Sequence, residues 1–127
     1  MTATDDIVAI QQLLARYNTA VDGGDGQAFA ATFTVDGVSI NGESRVTGRE
    51  ALAAIPAQVA ATLPGLRHWV ANHVIDVDGD EATATVYLLA LRGGTPPSVL
   101  TSGRYVDRLR RTPEGWRFAV REFLADT

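Results

Sequence analysis

The chain has 127 residues, a mass of 13.5 kDa and a formal net charge of −4, room for one domain spanning 1–127 and one hydrophobic core. Apolar residues at 46% and charged residues at 20% are ordinary for a globular domain, and no apolar run approaches the roughly 20 residues of a membrane span. Zero Cys, 11 basic residues that are all Arg, and only two His exclude disulfides, thiolate and lysine nucleophiles, a P-loop lysine and a three-His metal site.

From Asp5 to Val21, the apolar positions Ile7, Ile10, Leu13, Leu14, Tyr17 and Val21 recur at spacings of three and four, which predicts a helix burying one face. Gly23 and Gly24 end it, and Asp25 is placed to cap a short second helix carrying Phe29 and Phe33. Val38 to Ile40 reads as a short strand. Thr47-Gly48-Arg49-Glu50 has the spacing of a capping box opening an Ala-rich helix, which Pro56 should kink or divide and Leu63-Pro64-Gly65 should end. The second half changes character. Arg67 to Val77, Glu81 to Leu91, Ser98 to Arg110 and Trp116 to Leu124 are rich in β-branched and aromatic residues, with a tight-hairpin signal at Asp78-Gly79 and a turn signal at Thr112-Pro113-Glu114-Gly115. Helices followed by a meandering antiparallel sheet predict an α+β domain with its helices on one face of a curved sheet.

With so few titrating groups, proton chemistry near neutral pH must use His68, His73 or a perturbed carboxylate. In the strand His68-Trp69-Val70-Ala71-Asn72-His73, alternation puts His68, Val70 and Asn72 on one face and Trp69, Ala71 and His73 on the other. The two histidines therefore do not share a metal, and pattern alone leaves open which of them faces inward. Asp22 lies in the last turn of the first helix, where the macrodipole disfavours a negative charge by up to ~1 kcal/mol. Either it opens an exposed turn with Gly23, Gly24 and Asp25, or it sits at a pocket edge beside Tyr17 and Val21 and faces a histidine on the sheet. In the second case the carboxylate would orient the imidazole and leave its other nitrogen as a general base.

The order and spacing of Tyr17 with Asp22, Phe33-Thr34-Val35-Asp36-Gly37, Thr47-Gly48-Arg49-Glu50, His68 with Asn72, Gly103-Arg104-Tyr105-Val106-Asp107 and Gly115-Trp116 with Arg121 resembles the SnoaL-like family. That family belongs to the superfamily of nuclear transport factor 2, ketosteroid isomerase and scytalone dehydratase, and the resemblance runs from about Asp5 to Asp126. It implies a cone-shaped fold in which a curved antiparallel sheet and N-terminal helices enclose an apolar pocket. The local likeness is to the dehydratase and dehydrochlorinase branch, whose Asp-His dyad matches Asp22 and His68, so the resemblance turns His68 inward and His73 outward.

These readings converge on a cofactor-independent lyase or isomerase, of dehydratase, isomerase or cyclase type. Its Asp22–His68 dyad would remove a proton from an apolar, cyclic, polyketide- or steroid-like small molecule. Tyr17, Asn72, Phe33 and Arg121 are the expected substrate-binding residues, Arg121 pairing with a carboxylate inside the cone, and no metal or other cofactor is expected. Alternatives are a non-catalytic ligand-binding or assembly module of the same fold, or an epoxide hydrolase. A homodimer or homotrimer is expected from an outer sheet face bearing Trp69 and His73. The net charge argues against nucleic acid. An acidic, polar start at Met1 to Asp6, unlike a signal peptide, and the lack of a span make a cytoplasmic protein without membrane partners the expectation.

Overall fold

A computed structural model describes residues 2–127. The first helix, α1 (Ala3–Asp22), opens on a capping box in which the Thr2 side chain accepts from the Asp5 backbone N–H and the Asp5 side chain accepts from the Thr2 backbone N–H. Its inward stripe of Ile10, Leu13, Leu14, Tyr17 and Val21 is buried, as the three-four spacing predicts. Asp25 caps α2 (Gly26–Ala31) by accepting from the Ala28 N–H. The chain then forms β1 (Phe33–Asn41), β2 (Ser44–Thr47), α3 (Arg49–Ala53) and α4 (Ile55–Thr62). Pro56 divides the Ala-rich segment into two short helices and sits in the first turn of the second, where its missing N–H costs nothing.

Two local expectations fail here. Thr47-Gly48-Arg49-Glu50 does not make a capping box: Gly48 is the N-cap and no side chain caps α3, because Thr47 is committed to β2, paired with Val38. Phe33, expected on the second helix, opens β1 instead, because α2 ends at Ala31. The β2 edge strand itself gives no expectation, its four residues being too few for an alternation signal.

Four long strands complete the chain: β3 (Leu66–Asp78), β4 (Glu81–Arg92), β5 (Ser98–Thr112) and β6 (Gly115–Ala125). The sheet order is β2-β1-β6-β5-β4-β3. Every seam is antiparallel except that of β1 with β6, which is parallel. Gly79, at φ 63°, makes the tight β3–β4 turn with Asp80. Buried and exposed residues alternate strictly along β4 and through the middle of β5, so one sheet face meets the helices. Tyr17, Phe29, Phe33 and Phe118 form a ring cluster between α1, α2 and the sheet, with neighbouring centroids 4.7 to 6.1 Å apart. Gly103 lies on the inner face where a Cβ would collide with the Leu124 carbonyl oxygen and fall 2.8 Å from the Phe123 ring; only glycine lets that ring lie there. No helix among the described residues is long and apolar enough to cross a membrane.

Alternation breaks within β3. Ala71 pairs with Tyr87 and Val74 with Thr85, so Asn72 and His73 together stand opposite Val86 in a one-residue bulge. Asn72 takes φ 56° there, a left-handed conformation that asparagine tolerates better than most residues. Its side chain is exposed, which corrects the expectation that Asn72 shares the inner face with His68.

Candidate active site

The concave side of the sheet and the helices enclose a cavity of about 290 Å³, walled by residues that include Tyr17, Val21, Val59, Leu88, His68 and Arg121. That is the small end of ligand-pocket volumes. Its wall is mostly apolar because it draws on the inner positions of β4 and the buried stripe of α1.

Asp22 and His68 meet at its edge. Asp22 ends α1, and His68 lies two residues into β3. One carboxylate oxygen, Oδ1, is 2.5 Å from His68 Nδ1, and the other, Oδ2, accepts the His68 backbone N–H at 3.0 Å. Both oxygens are thus tied to one residue, which fixes the plane of the carboxylate and the rotation of the ring. With Nδ1 donating to Asp22, the neutral imidazole carries its lone pair on Nε2. The side chains are only 12% and 15% exposed, and a second, open groove lined by Asn18, Asp22, Arg67 and Trp69 reaches His68 from outside.

A second constellation lies on the same wall. Asp107 and Arg121 are cross-strand neighbours on β5 and β6, both pointing inward, with Arg121 Nε 3.1 Å from Asp107 Oδ1 and side-chain exposures of 1% and 0%. The pair is in contact but poorly aligned. Among the described residues, Arg121 Nε, Nη1 and Nη2 and both Asp107 oxygens lack a hydrogen-bond partner. The guanidinium is held instead by rings, its carbon 3.5 Å from the centroid of Tyr105, 4.3 Å from Tyr17 and 4.6 Å from Phe118, a cation–π clamp. Burial pushes the Asp107 carboxyl up to about 6, with the Arg121 charge pulling the other way. Burial also raises the Tyr17 phenol, against the same charge, and raises that of Tyr105 well above its ordinary range, so both hydroxyls remain donors at neutral pH.

Of the residues expected at the site, Asp22 and His68 are brought together, and Tyr17 and Arg121 line the cavity. Phe33 and Asn72 do not line it. Phe33 is fully buried in the ring cluster behind Tyr17, because the start of β1 faces α2. Asn72 is carried outward by the bulge. Tyr105 and Asp107 are not among the expected residues, although alternation gives both away: if Arg104, Arg108 and Arg110 face solvent, the intervening Tyr105 and Asp107 face in. His73 is exposed, and among the described residues no three His, Cys, Asp or Glu side chains are grouped as metal ligands.

The model of the SnoaL-like domain matches residues 2–122. A Mycobacterium tuberculosis protein, Rv2910c, is 31% identical over 121 residues, covering 91% of this chain and 82% of the relative. Among solved structures, a variant of Rv3472, a protein of unknown function from M. tuberculosis, superposes with a TM-score of 0.90 at 31% identity, covering 99% of this chain and 77% of that one. An NTF2-like protein with a cystatin-like fold from Novosphingobium aromaticivorans gives 0.88 at 30%, covering 94% and 81%. ActVI-ORFA from Streptomyces coelicolor, at 23% identity and a TM-score of 0.82 over 94% and 96% of the two chains, shares the fold.

Proposed function

Since the chain belongs to the SnoaL-like domain family, we propose that it is a cofactor-independent lyase or isomerase whose base is His68. Its substrate is an apolar, cyclic molecule of polyketide or steroid type. The observation that carries this reading is the double tie of Asp22 to His68, through Nδ1 and through the backbone N–H. A carboxylate held at both oxygens does not turn, and it leaves Nε2 as the one imidazole nitrogen free for proton transfer. Nε2 takes a proton from a carbon beside an activating carbonyl, and the C–H electron pair becomes the new double bond. In elimination the leaving group departs with its bonding pair. In isomerisation the same proton returns to another carbon. Tyr17 and Arg121 stand on the cavity wall as donors for the oxygen on which negative charge develops.

The test uses a bicyclic ketone as probe, with hydrogen–deuterium exchange at the carbon next to the carbonyl of 2-tetralone followed by NMR in D2O. Wild-type protein is expected to accelerate exchange. His68→Ala and Asp22→Asn should each lose about 10²- to 10⁴-fold of that acceleration, the range of a single general base, with melting temperatures close to wild type. Full exchange in both variants would overturn the reading.

We also propose that the chain associates as a homodimer or homotrimer through the outer face of β3, β4 and β5. Trp69 (64% exposed), Tyr87 (57%) and Val74 (54%) stand there beside Leu89 and Val106, a group of large exposed apolar side chains of the kind that marks association surfaces. Light scattering should show a dimer or trimer that Trp69→Glu shifts to the monomer. A wild type that is monomeric under the same conditions refutes it.

A further inference from the structure

Resting on the reading of this cavity as the substrate site, we propose that Asp107 determines the class of ligand it accepts. By cancelling the charge of Arg121 from behind, Asp107 leaves the guanidinium N–H groups for a neutral oxygen, a ketone or phenol, and turns away a permanent carboxylate. Arg121 lines the cavity and Asp107 does not. Their contact is at Nε, while Nη1 and Nη2 are buried with no partner among the described residues. A buried guanidinium with both Nη nitrogens unpaired is costly unless something completes it, and the rings of Tyr105, Tyr17 and Phe118 prevent it from turning elsewhere.

The charge count decides what completes it. With Asp107 ionised, the pair is neutral overall, and a ligand carboxylate would add a second buried anion around one cation, at the loss of its own hydration. A carbonyl or phenolic oxygen adds no net charge and fills the same donors. Charge that develops on it during proton abstraction meets a cation already in place. The groups facing this end are few. Arg121 comes from β6, Asp107 and Tyr105 from β5, Tyr17 from α1, and His68 from β3 across the cavity. Both phenols are kept protonated by burial, whereas burial brings the Asp107 carboxyl within reach of mild acid.

Asp107 acts through Arg121 and is a positioning residue, so its signature is a change of selectivity. Two probes of one shape serve, 2-naphthol and 2-naphthoate, with dissociation constants measured by calorimetry. At pH 7.5 the wild type should prefer the naphthol by about tenfold or more, a decade being ~1.4 kcal/mol. In Asp107→Asn, naphthoate should gain about tenfold while naphthol moves less than about threefold. If that variant fails to fold, the pH arm decides. Because burial places the Asp107 carboxyl near 6, lowering the pH from 7.5 to 5 neutralises it and should strengthen naphthoate binding alone. This arm is run in a His68→Gln background so that imidazole protonation does not contribute. A wild type that binds naphthoate as well as naphthol at pH 7.5, or equal changes for both probes, overturns the proposal. None of these affinities depends on proton abstraction, so failure of the dyad chemistry and failure of charge selection are read separately.

Discussion

Two carboxylate–guanidinium pairs built from the same residue types, Asp6 with Arg111 and Asp107 with Arg121, sit in this domain under opposite conditions. Asp6 is saturated. Its Oδ1 accepts from Arg111 Nη1 at 2.8 Å and from the indole N–H of Trp116 at 3.1 Å, and its Oδ2 accepts from Arg111 Nη2 at 3.0 Å. Arg111 Nε continues to Asp80 at 3.0 Å, and the guanidinium lies over the Trp116 ring, 4.6 Å from its centroid. These bonds from Arg111 and Trp116 hold the Asp6 carboxyl below the usual carboxylate range. Asp107 and Arg121 are drier and unsaturated, and burial drives the carboxyl up. The saturated pair fastens the first turn of α1 to the β5–β6 turn. The unsaturated one leaves its donors unpaired beside a cavity, at a cost in stability.

Breaking each pair should expose the contrast. The largest effect is expected from Asp6→Ala, which strips Arg111 and Trp116 of their acceptor at once. It should lower the melting temperature by about 10 °C and leave 2-naphthol affinity unchanged, as differential scanning fluorimetry and calorimetry would show. Replacing the other pair outright, with Asp107→Leu and Arg121→Met together, should leave stability unaltered or raise it by ~1–4 kcal/mol, because a well-packed apolar pair avoids the desolvation of two ions. Naphthol affinity should fall in the same protein. A smaller effect separates the two in pH. The folded Asp107 carboxyl titrates near 6 against an ordinary value of 3.8, so its contribution to stability is complete below about 4 and disappears as the pH rises through 6. Asp6, held low, contributes above the ordinary value and loses its contribution only as the pH falls through its depressed one. Urea titrations of wild type and double variant from pH 4 to 7 should differ by the first slope alone. A double variant that unfolds readily would mean that Asp107 and Arg121 are structural after all.

How much of this is legible in the sequence follows from the distances between the residues involved. The helices and the four long strands announce themselves through periodicity within ten or fifteen residues. β2 is too short to do so, and no local pattern reports that β1 runs parallel to β6. Residues alone leave Asp22 between a turn and a dyad, and leave either histidine free to face inward; the family resemblance favours Asp22 with His68. The Asp6–Arg111–Trp116 knot joins residues more than a hundred positions apart and carries no local signal. Asp107 does carry one, as a lone acid on the inward side of an alternating strand. Asn72 cannot be placed correctly from sequence, since nothing in Ala71-Asn72-His73-Val74 marks the extra residue that sends it outward.

That extra residue divides one strand into two independent registers. Before it, Leu66 and His68 face the cavity; after it, Ile75 and Val77 pack against the core. The bulge thus lets the first half of β3 aim His68 at the cavity while the second half keeps its own alternation towards the core.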